Sequence, residues 1–419
     1  MSINYSKLVP PGTFIHQYME HMNETETATA YDFWCACWLL SLAAGRDCVV
    51  ARPRAPVYLN LYCILVANSG ITRKSSAVSE AKKLAQLLIA DDPRISIMDS
   101  KSTPERIDEQ LQRHSSETGS GRLAIIVSEL AVFLGTEKYT ANMPAMLTDL
   151  YDCPDRREAG GGVSRRTSGS ANVFVSLLSA STPTWLLRSV NPNVVEGGFT
   201  SRCLFIVSEA PKRRIAWPTV DTRSHTGRDV LLQQLREIRS TAATQKTITI
   251  NDGGLAAFKT WYEKRKPSLD TFSNSFESRE DAHILRLAAF LCMNDGTWVI
   301  QKTHITTATK LVTNAKIEAA RLFGNAEEAS KWLHAVVTLR DSLVAAGLDG
   351  ILKSHLYLKV RRQLDSMEYN ALLDIMHELN YIQRFERKDG PGRPAEIIRG
   401  TKLLATKRVI EDITAKVNL

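Results

Sequence analysis

Apolar positions recur at helical spacing over residues 13–46. Phe14, Ile15, Tyr18 and Met19 make one stripe and Trp34, Cys37, Trp38 and Leu40 a second, with Gly45 placed to end the run. The spacing predicts an N-terminal helical segment over 1–50, a collar leading into a larger domain. From Tyr58 the pattern changes to short β-rich runs separated by helical stretches, the alternation of a parallel sheet covered on both faces. The runs are LNLYCILVA (59–67), RISIMD (94–99), RLAIIVS (122–128), ANVFVSLLSAS (171–181) and RCLFIVS (202–208). Two are almost wholly apolar, as strands buried on both faces should be. An α/β core over 51–208 is expected.

Two prolines, a basic cluster and small polar residues mark 209–228 as a linker. Helical patterns dominate 229–330, with a short ITI strand at 248–250, and predict an all-helical lid. Residues 331–419 read as helices at Trp332–Ala346, Ser354–Arg362 and Ser366–Leu379. A hairpin follows, its strands YIQRFER and AEIIRG joined by KDGPGRP. Three helices closed by a Gly/Pro-tipped hairpin are the order of a winged helix. No repeat at a period of 20–50 residues and no long low-complexity tract is present.

At 419 residues the chain has length for two or three domains. Its longest apolar stretch, Phe33–Ala44, falls short of the roughly 20 residues of a membrane-spanning helix. The opening MSINYSKLVPPG lacks the apolar centre of a secretory signal. A cytoplasmic protein without a membrane partner is expected. The seven cysteines are odd in number and scattered, and read as reduced core residues. Cys35-x-Cys37 has no second Cys/His pair at zinc-ligand spacing. The 53 Lys and Arg against 45 Asp and Glu give +8 and a pI near 9.1, which tilts the partner toward a polyanion such as nucleic acid.

The strongest chemical signal is the strand LYCILVA, the loop Asn68, Ser69, Gly70, Ile71, Thr72, Arg73, Lys74, Ser75, and the helix that follows. A loop between a buried strand and a helix N-terminus presents backbone N–H groups and the helix dipole to phosphate. Lysine then lies on the β/γ-phosphates and the serine hydroxyl on Mg²⁺. Lys74 and Ser75 stand in that frame, with ATP and Mg²⁺ as the implied cofactors and Ser75 as the metal ligand. Against the strict G-x-x-x-x-G-K-[ST] pattern, Asn68 and Arg73 occupy both glycine positions. LAIIVSE supplies the second ingredient of a P-loop ATPase, an apolar strand ending at an acid. Glu129 suits a water-activating carboxylate, and Ser128 stands where an Asp would hold the metal through water. The alternative is a plain helix cap at Ser128-Glu129.

The polar end of NVFVSLLSAS, with Ser179, Ser181 and Thr182, would lie beside that strand, where such ATPases put a γ-phosphate sensor. Small hydroxyls also simply end strands. Arg202, presented by the Gly-rich turn GGFTSR, has the placement of an arginine finger that crosses to a neighbour's γ-phosphate, or of a surface arginine that opens a strand.

The order of SGxxRKS, a strand ending in SE, LTDLYDCPD, a strand ending in SAST, then GGFTSR and CLFIVSE resembles a family of P-loop ATPases. Phages, prophages and mobile elements encode this family, which is related to primase-associated replicative helicases. The likeness covers roughly residues 10–325 and resides in the ensemble. It implies an AAA+/RecA-like fold with a loosened phosphate loop. It also implies Lys74 and Ser75 as nucleotide ligands, Glu129 as the catalytic carboxylate, and Arg202 as a finger in a ring-shaped oligomer such as a hexamer.

Arg279 and Arg286, on the expected lid helix, fit a second phosphate sensor or a solvated face. Arg156, Arg157, Gly160–Gly162, Arg165 and Arg166 would form a basic loop able to grip a single strand inside a ring, or only a surface loop. Over 331–401 the chain has eleven Lys and Arg against nine Asp and Glu. The cations cluster at Lys359, Arg361, Arg362 and at the hairpin tip, Arg387, Lys388, Arg393, two regions that a winged helix sets against DNA.

The expected function is an ATP-dependent DNA-replication helicase, translocase or initiator of a phage or mobile element, acting as a homo-oligomeric ring on DNA. Two other readings stay open: a nucleotide-gated DNA-binding initiator or regulator, and an ATPase switch subunit of a defence or transposition complex. No primase constellation precedes the core, so priming would fall to a separate partner.

Overall fold

The computed structural model describes residues 3–90, 93, 95–134, 142–158, 169–189, 198–217, 223–265, 268, 271–387, 395–405, 409, 412 and 413. The chain divides into two compact units, Met1–Ala320 and Arg321–Leu419.

The first unit is built on a five-stranded parallel sheet of β1 (Tyr62–Val66), β2 (Ser96–Met98), β3 (Arg122–Val127), β4 (Phe174–Ser181) and β5 (Cys203–Val207), in the order β2-β3-β4-β1-β5. Every residue of β1, β3 and β4 is buried, which is why β1 and β3 read as nearly continuous apolar stretches, while β4 also buries Ser176, Ser179 and Ser181. Register pairs Ile64 of β1 with Ser179 of β4 and with Phe205 of β5. β1 and β4 are neighbours whose connections run in opposite directions, β1 to the far strand β2 and β4 across to β5. Open parallel sheets bind ligands at such a place, beyond the carboxyl ends of the strands.

Helices α1 (Phe14–His21), α2 (Thr29–Ala44) and α3 (Lys74–Ala90) pack together with a later helix, Arg223–Gln245, and α2 and α3 lie on the sheet. Every residue of α2 from Tyr31 to Ala44 is buried, as expected of a helix apolar on all sides. Its one carboxylate, Asp32, pairs with Lys212 Nζ at 2.7 Å and accepts from Thr27 Oγ1 at 2.7 Å. Burial pushes the Asp32 carboxyl up to about 6 against the pull of Lys212. The expected linker at 209–228 is thereby corrected: Lys212 is anchored in the core, and helix already begins at Arg223.

Between β2 and β4 lie α4 (Pro104–Thr118), α5 (Leu130–Leu134) and α6 (Met143–Tyr151); α7 (Pro183–Ser189) and α8 (Phe199–Arg202) precede β5. The helix Arg223–Gln245 is α9, followed by α10 (Asp252–Glu263), α11 (Thr271–Asn294) and α12 (Lys302–Ala346). The ITI run forms a strand, Thr247–Ile250, in a small second sheet with Val49–Val50, Val57–Tyr58 and Val299–Ile300. The helix expected at 332–346 is the end of α12, within which the division between the units falls. Arg156 and Arg157 pair as a short strand with Ser170–Ala171, and Arg157 binds Asp108 at 2.9 Å, so neither belongs to a free loop. All seven cysteines are buried free thiols.

The second unit contains β6 (Ile351–Leu352), α13 (Lys353–Val360), α14 (Ser366–Glu378), β7 (Ile382–Arg387) and β8 (Ala395–Gly400). The strands form an antiparallel sheet ordered β6-β8-β7. Leu339, Leu343, Leu356, Leu372, Met376 and Ile398 centre its core. Asp365 starts α14 with a complete capping box, reciprocated by Glu368.

Candidate functional site

At the carboxyl edge of the parallel sheet, residues from three sequence motifs converge on a cavity of about 380 Å³. Ser69, Gly70, Arg73, Lys74, Ser75 and Ser76 come from the loop after β1, Ser128 and Glu129 from the end of β3, and Ser181, Thr182 and Trp185 from β4 and α7.

The loop's shape follows from its residues. Gly70 takes φ +79°, where its missing Cβ removes the steric cost. Arg73 takes φ +49° although it is not glycine, a strained conformation at the position where the strict motif has its second glycine. Arg73 turns outward and binds Glu26 at 2.8 Å. Thr72 turns inward, its hydroxyl donating to Tyr31 at 3.3 Å, and Tyr31 in turn donates to the Val66 carbonyl at 2.8 Å. The loop is thus tied to α2 on one side and to β1 on the other. α3 starts at Lys74, so its first-turn N–H groups open at the cavity with the positive end of the helix dipole.

Lys74 Nζ donates to the carbonyls of Ala67 at 2.8 Å and Asn68 at 3.2 Å. Burial draws the Lys74 ammonium down from the ordinary lysine range, and the charge of Glu129 opposes that shift. Ser128 and Glu129 are exposed at the cavity wall. The arrangement offers a cation, backbone N–H groups, hydroxyls and a carboxylate converging on one space, chemistry suited to an anion such as a phosphate chain, with Ser75 and Ser128 as hydroxyl donors to a metal.

The predicted residues separate here. Ser69, Gly70, Arg73, Lys74, Ser75, Ser128, Glu129 and Ser181 line the cavity, whereas Asn68, Ile71 and Thr72 do not. Ser179 is corrected: it is fully buried one pleat down β4 and donates to the Val127 carbonyl at 2.9 Å, so Ser181 and Thr182 stand at the edge in its place. Trp185 escaped the sequence reading. Thr182 Oγ1 caps α7 by accepting from Trp185 N at 3.3 Å, and that single helical turn carries the indole to the cavity. A second cavity of about 470 Å³ shares Ser75 and Ser76 with the first and is lined also by His21, Met22, Thr25, Glu80 and Arg228. Burial pushes the Glu80 carboxyl up, but bonds from His21, Arg228 and Lys83 outweigh it and hold the group at about 2.

The three predicted arginines occupy the other edge of the sheet, at the starts of β1 and β5, away from the cavity. Arg286 donates to the Tyr58 carbonyl at 2.9 Å and to the Tyr151 hydroxyl at 2.5 Å, and its guanidinium lies 4.8 Å from the centre of the Tyr151 ring. Arg202 binds Asp152 at 2.9 Å and the Gly198 carbonyl at 3.0 Å, and Arg279 meets Asp152 at 3.3 Å. His283, buried among them, bonds the Ser201 carbonyl at 2.9 Å. Burial and then Arg286 hold its imidazole down at about 3, neutral. Arg279 and Arg286 are therefore corrected as phosphate sensors of this cavity, and Arg202 does not reach it within one chain.

Of the nucleic-acid candidates, Arg361 and Arg362 are exposed just after α13. Arg387 ends β7, while Lys388, Arg393, Arg165 and Arg166 lie outside the described residues. Between these clusters α14 carries Glu368, Asp374 and Glu378 and no Lys or Arg.

No family model and no curated protein matches the chain. Among solved structures, a full-length MCM homolog from Methanopyrus kandleri is similar at 14% identity and a TM-score of 0.42, over 73% of this chain and 59% of that one. The chain thus spans about three-fifths of that protein's length. No helix of the described residues is long and apolar enough to cross a membrane.

Proposed function

We propose that the chain is a P-loop ATPase of a phage or mobile element that acts in DNA replication as a helicase, translocase or initiator. The observation that carries this reading is the convergence of Lys74 and Ser75, Ser128 and Glu129, and Ser181 and Thr182 on one cavity at the carboxyl edge of a parallel sheet. ATP would set its phosphates over the loop and the first turn of α3, with Mg²⁺ held by Ser75, and its nucleoside toward the second cavity beside Ser76. Glu129 would orient the attacking water, and Ser181 would hydrogen-bond the γ-phosphate.

Because Arg202 lies at the opposite edge from its own cavity, a finger role for it requires a neighbouring copy in a ring. The second unit is read as a winged helix, which its strand order and three helices support. A duplex would meet Arg361, Arg362 and the wing through its backbone. The acids of α14 disfavour base reading by that helix, so DNA binding is expected to be sequence-independent. The N-terminal collar, the helical lid and a separate primase partner belong to the same reading. A nucleotide-gated switch is the second reading, favoured by Ser128 in the place of an acid and by the strained, non-glycine Arg73.

Steady-state ATP hydrolysis with and without single-stranded DNA separates the two. Lys74→Ala is expected to weaken ATP binding at least a hundredfold, and Glu129→Gln to retain binding while slowing turnover about a hundredfold or more. Turnover stimulated by DNA and lost in both variants supports the motor. ATP binding that depends on Lys74 without turnover supports the switch.

A further inference from the structure

Helix α10 (Asp252–Glu263) has a side that the fold does not use. Its close packing is made at Gly254, where a Cβ would stand 2.8 Å from the Ile300 carbonyl and 2.9 Å from Ile250, so only glycine lets the helix approach the small sheet. Further along, Phe258, Trp261 and Tyr262 form one aromatic cluster, with ring centres 5.5 Å apart for Phe258 and Trp261 and 6.2 Å apart for Trp261 and Tyr262. Tyr262 is 47% exposed. Phe258 and Trp261 are half-buried beneath it, so the Tyr262 ring is presented to solvent on an aromatic base, where a flat partner can stack.

The charge beside these rings is mainly cationic, with Lys259, Lys264 and Arg265 against Glu263. Arg265 lies 4.0 Å from the centre of the Tyr262 ring and 5.1 Å from that of Trp261. Its Nη1 donates to the Glu277 carbonyl at 3.1 Å, while its Nε is buried without a hydrogen-bond partner. Lys259 and Lys264 are exposed on the same stretch. Among the described residues none of these three cations is paired with a carboxylate, and the acids of the helix are Asp252 and Glu263. Flat rings interleaved with three cations and one acid within eight residues, 258–265, match a ligand that alternates flat apolar rings with negative charge.

We propose that α10 with Arg265 is a binding face for single-stranded nucleic acid. A base stacks on Tyr262, whose ring Trp261 supports from below, and phosphates lie against Lys259, Lys264 and Arg265. Stacking uses the ring face that every base has, so binding is tolerant of sequence and steeply salt-dependent. This face belongs to the first unit and shares no residue with the nucleotide cavity. It shares with the proposed function only the class of polymer bound.

The test is fluorescence anisotropy of a labelled oligothymidylate of about twelve nucleotides, titrated with the full chain without nucleotide. An abasic strand of equal length runs in parallel. Tyr262→Ser is expected to weaken oligothymidylate binding about tenfold, a stacking loss of roughly 1.4 kcal/mol, and to leave abasic binding within about twofold. Tyr262→Phe keeps the ring and should bind as the parent does. The titration contains no nucleotide and reads no turnover, so a failed ATPase reading does not disturb the result. Equal binding by Tyr262→Ser and the parent overturns the proposal, as does an equal loss on both strands or no binding by the parent. Tyr262 is exposed enough that its serine variant folds, which circular dichroism checks.

Discussion

The two edges of the parallel sheet have similar raw materials and opposite character. At the amino edge, Arg202, Arg279 and Arg286 converge with Tyr151, Asp152 and His283, and their donors are largely spent on carbonyls, a hydroxyl and a carboxylate. At the carboxyl edge, Lys74, Ser75, Ser128, Glu129 and Ser181 surround open space. Buried charge must be compensated within the fold, so a cation as fully bonded as Arg286 is a part of the scaffold. A site that acts on a ligand leaves its polar groups facing a cavity. A cation's role is therefore set by what it faces; its residue type is the same at both edges.

This contrast is most exposed to failure at Arg286. Arg286→Ala should cost about 3 kcal/mol in urea unfolding, since Tyr151 and the Tyr58 carbonyl lose a buried charged donor. The folded protein should still bind ATP with unchanged affinity. Loss of ATP affinity in well-folded Arg286→Ala protein would erase the distinction between the edges.

A smaller effect comes from acid. The Glu80 carboxyl sits at about 2 when folded against an ordinary 4.5, so its contribution is complete above about pH 5 and is lost as pH falls toward 2. With allowance for solvent screening that contribution is about 2 kcal/mol. Denaturant unfolding at pH 6 and pH 3 should show the loss in the parent, and Glu80→Gln should show a shallower dependence.

The two serines of β4 divide the edge from the core within one strand. Ser179→Ala should lower stability by about 1 kcal/mol and leave nucleotide affinity alone, since its bond to Val127 is internal. Ser181→Ala should do the reverse, slowing turnover with little change in unfolding. The smallest effect is expected at Arg73, whose pair with Glu26 is exposed. Arg73→Ala should change stability by less than about 1 kcal/mol, as read by thermal melting.

The sheet was legible because burial on both faces writes itself as apolar runs, and each of the five runs contains its strand with a residue or more to spare. The loop was legible because a strand, a lysine and a helix start are contiguous in sequence. Ser179 and Ser181 were not separable, since a two-residue step along a strand keeps the same face and only the end of the sheet decides which hydroxyl is free. The arginines were misread for a related reason. Asp152 and Tyr151, which bind them, lie 50 to 135 residues away in sequence. Trp185 carried a local signal, one turn beyond a strand end, that spacing could have revealed. The linker failed because a single lysine, Lys212, finds a buried carboxylate 180 residues upstream.

Glu80 gives α3 a mechanical property. The helix has the phosphate-facing loop at its start, and about 9 Å along its axis the Glu80 carboxylate is bolted to His21 of α1 at 3.1 Å and to Arg228 of α9 at 2.6 Å. A helix fastened so close to one end does not pivot freely. Binding at Lys74 or Ser75 is therefore expected to be felt in α1 and α9 through that anchor, and hydrogen exchange in those two helices would register what happens at the loop.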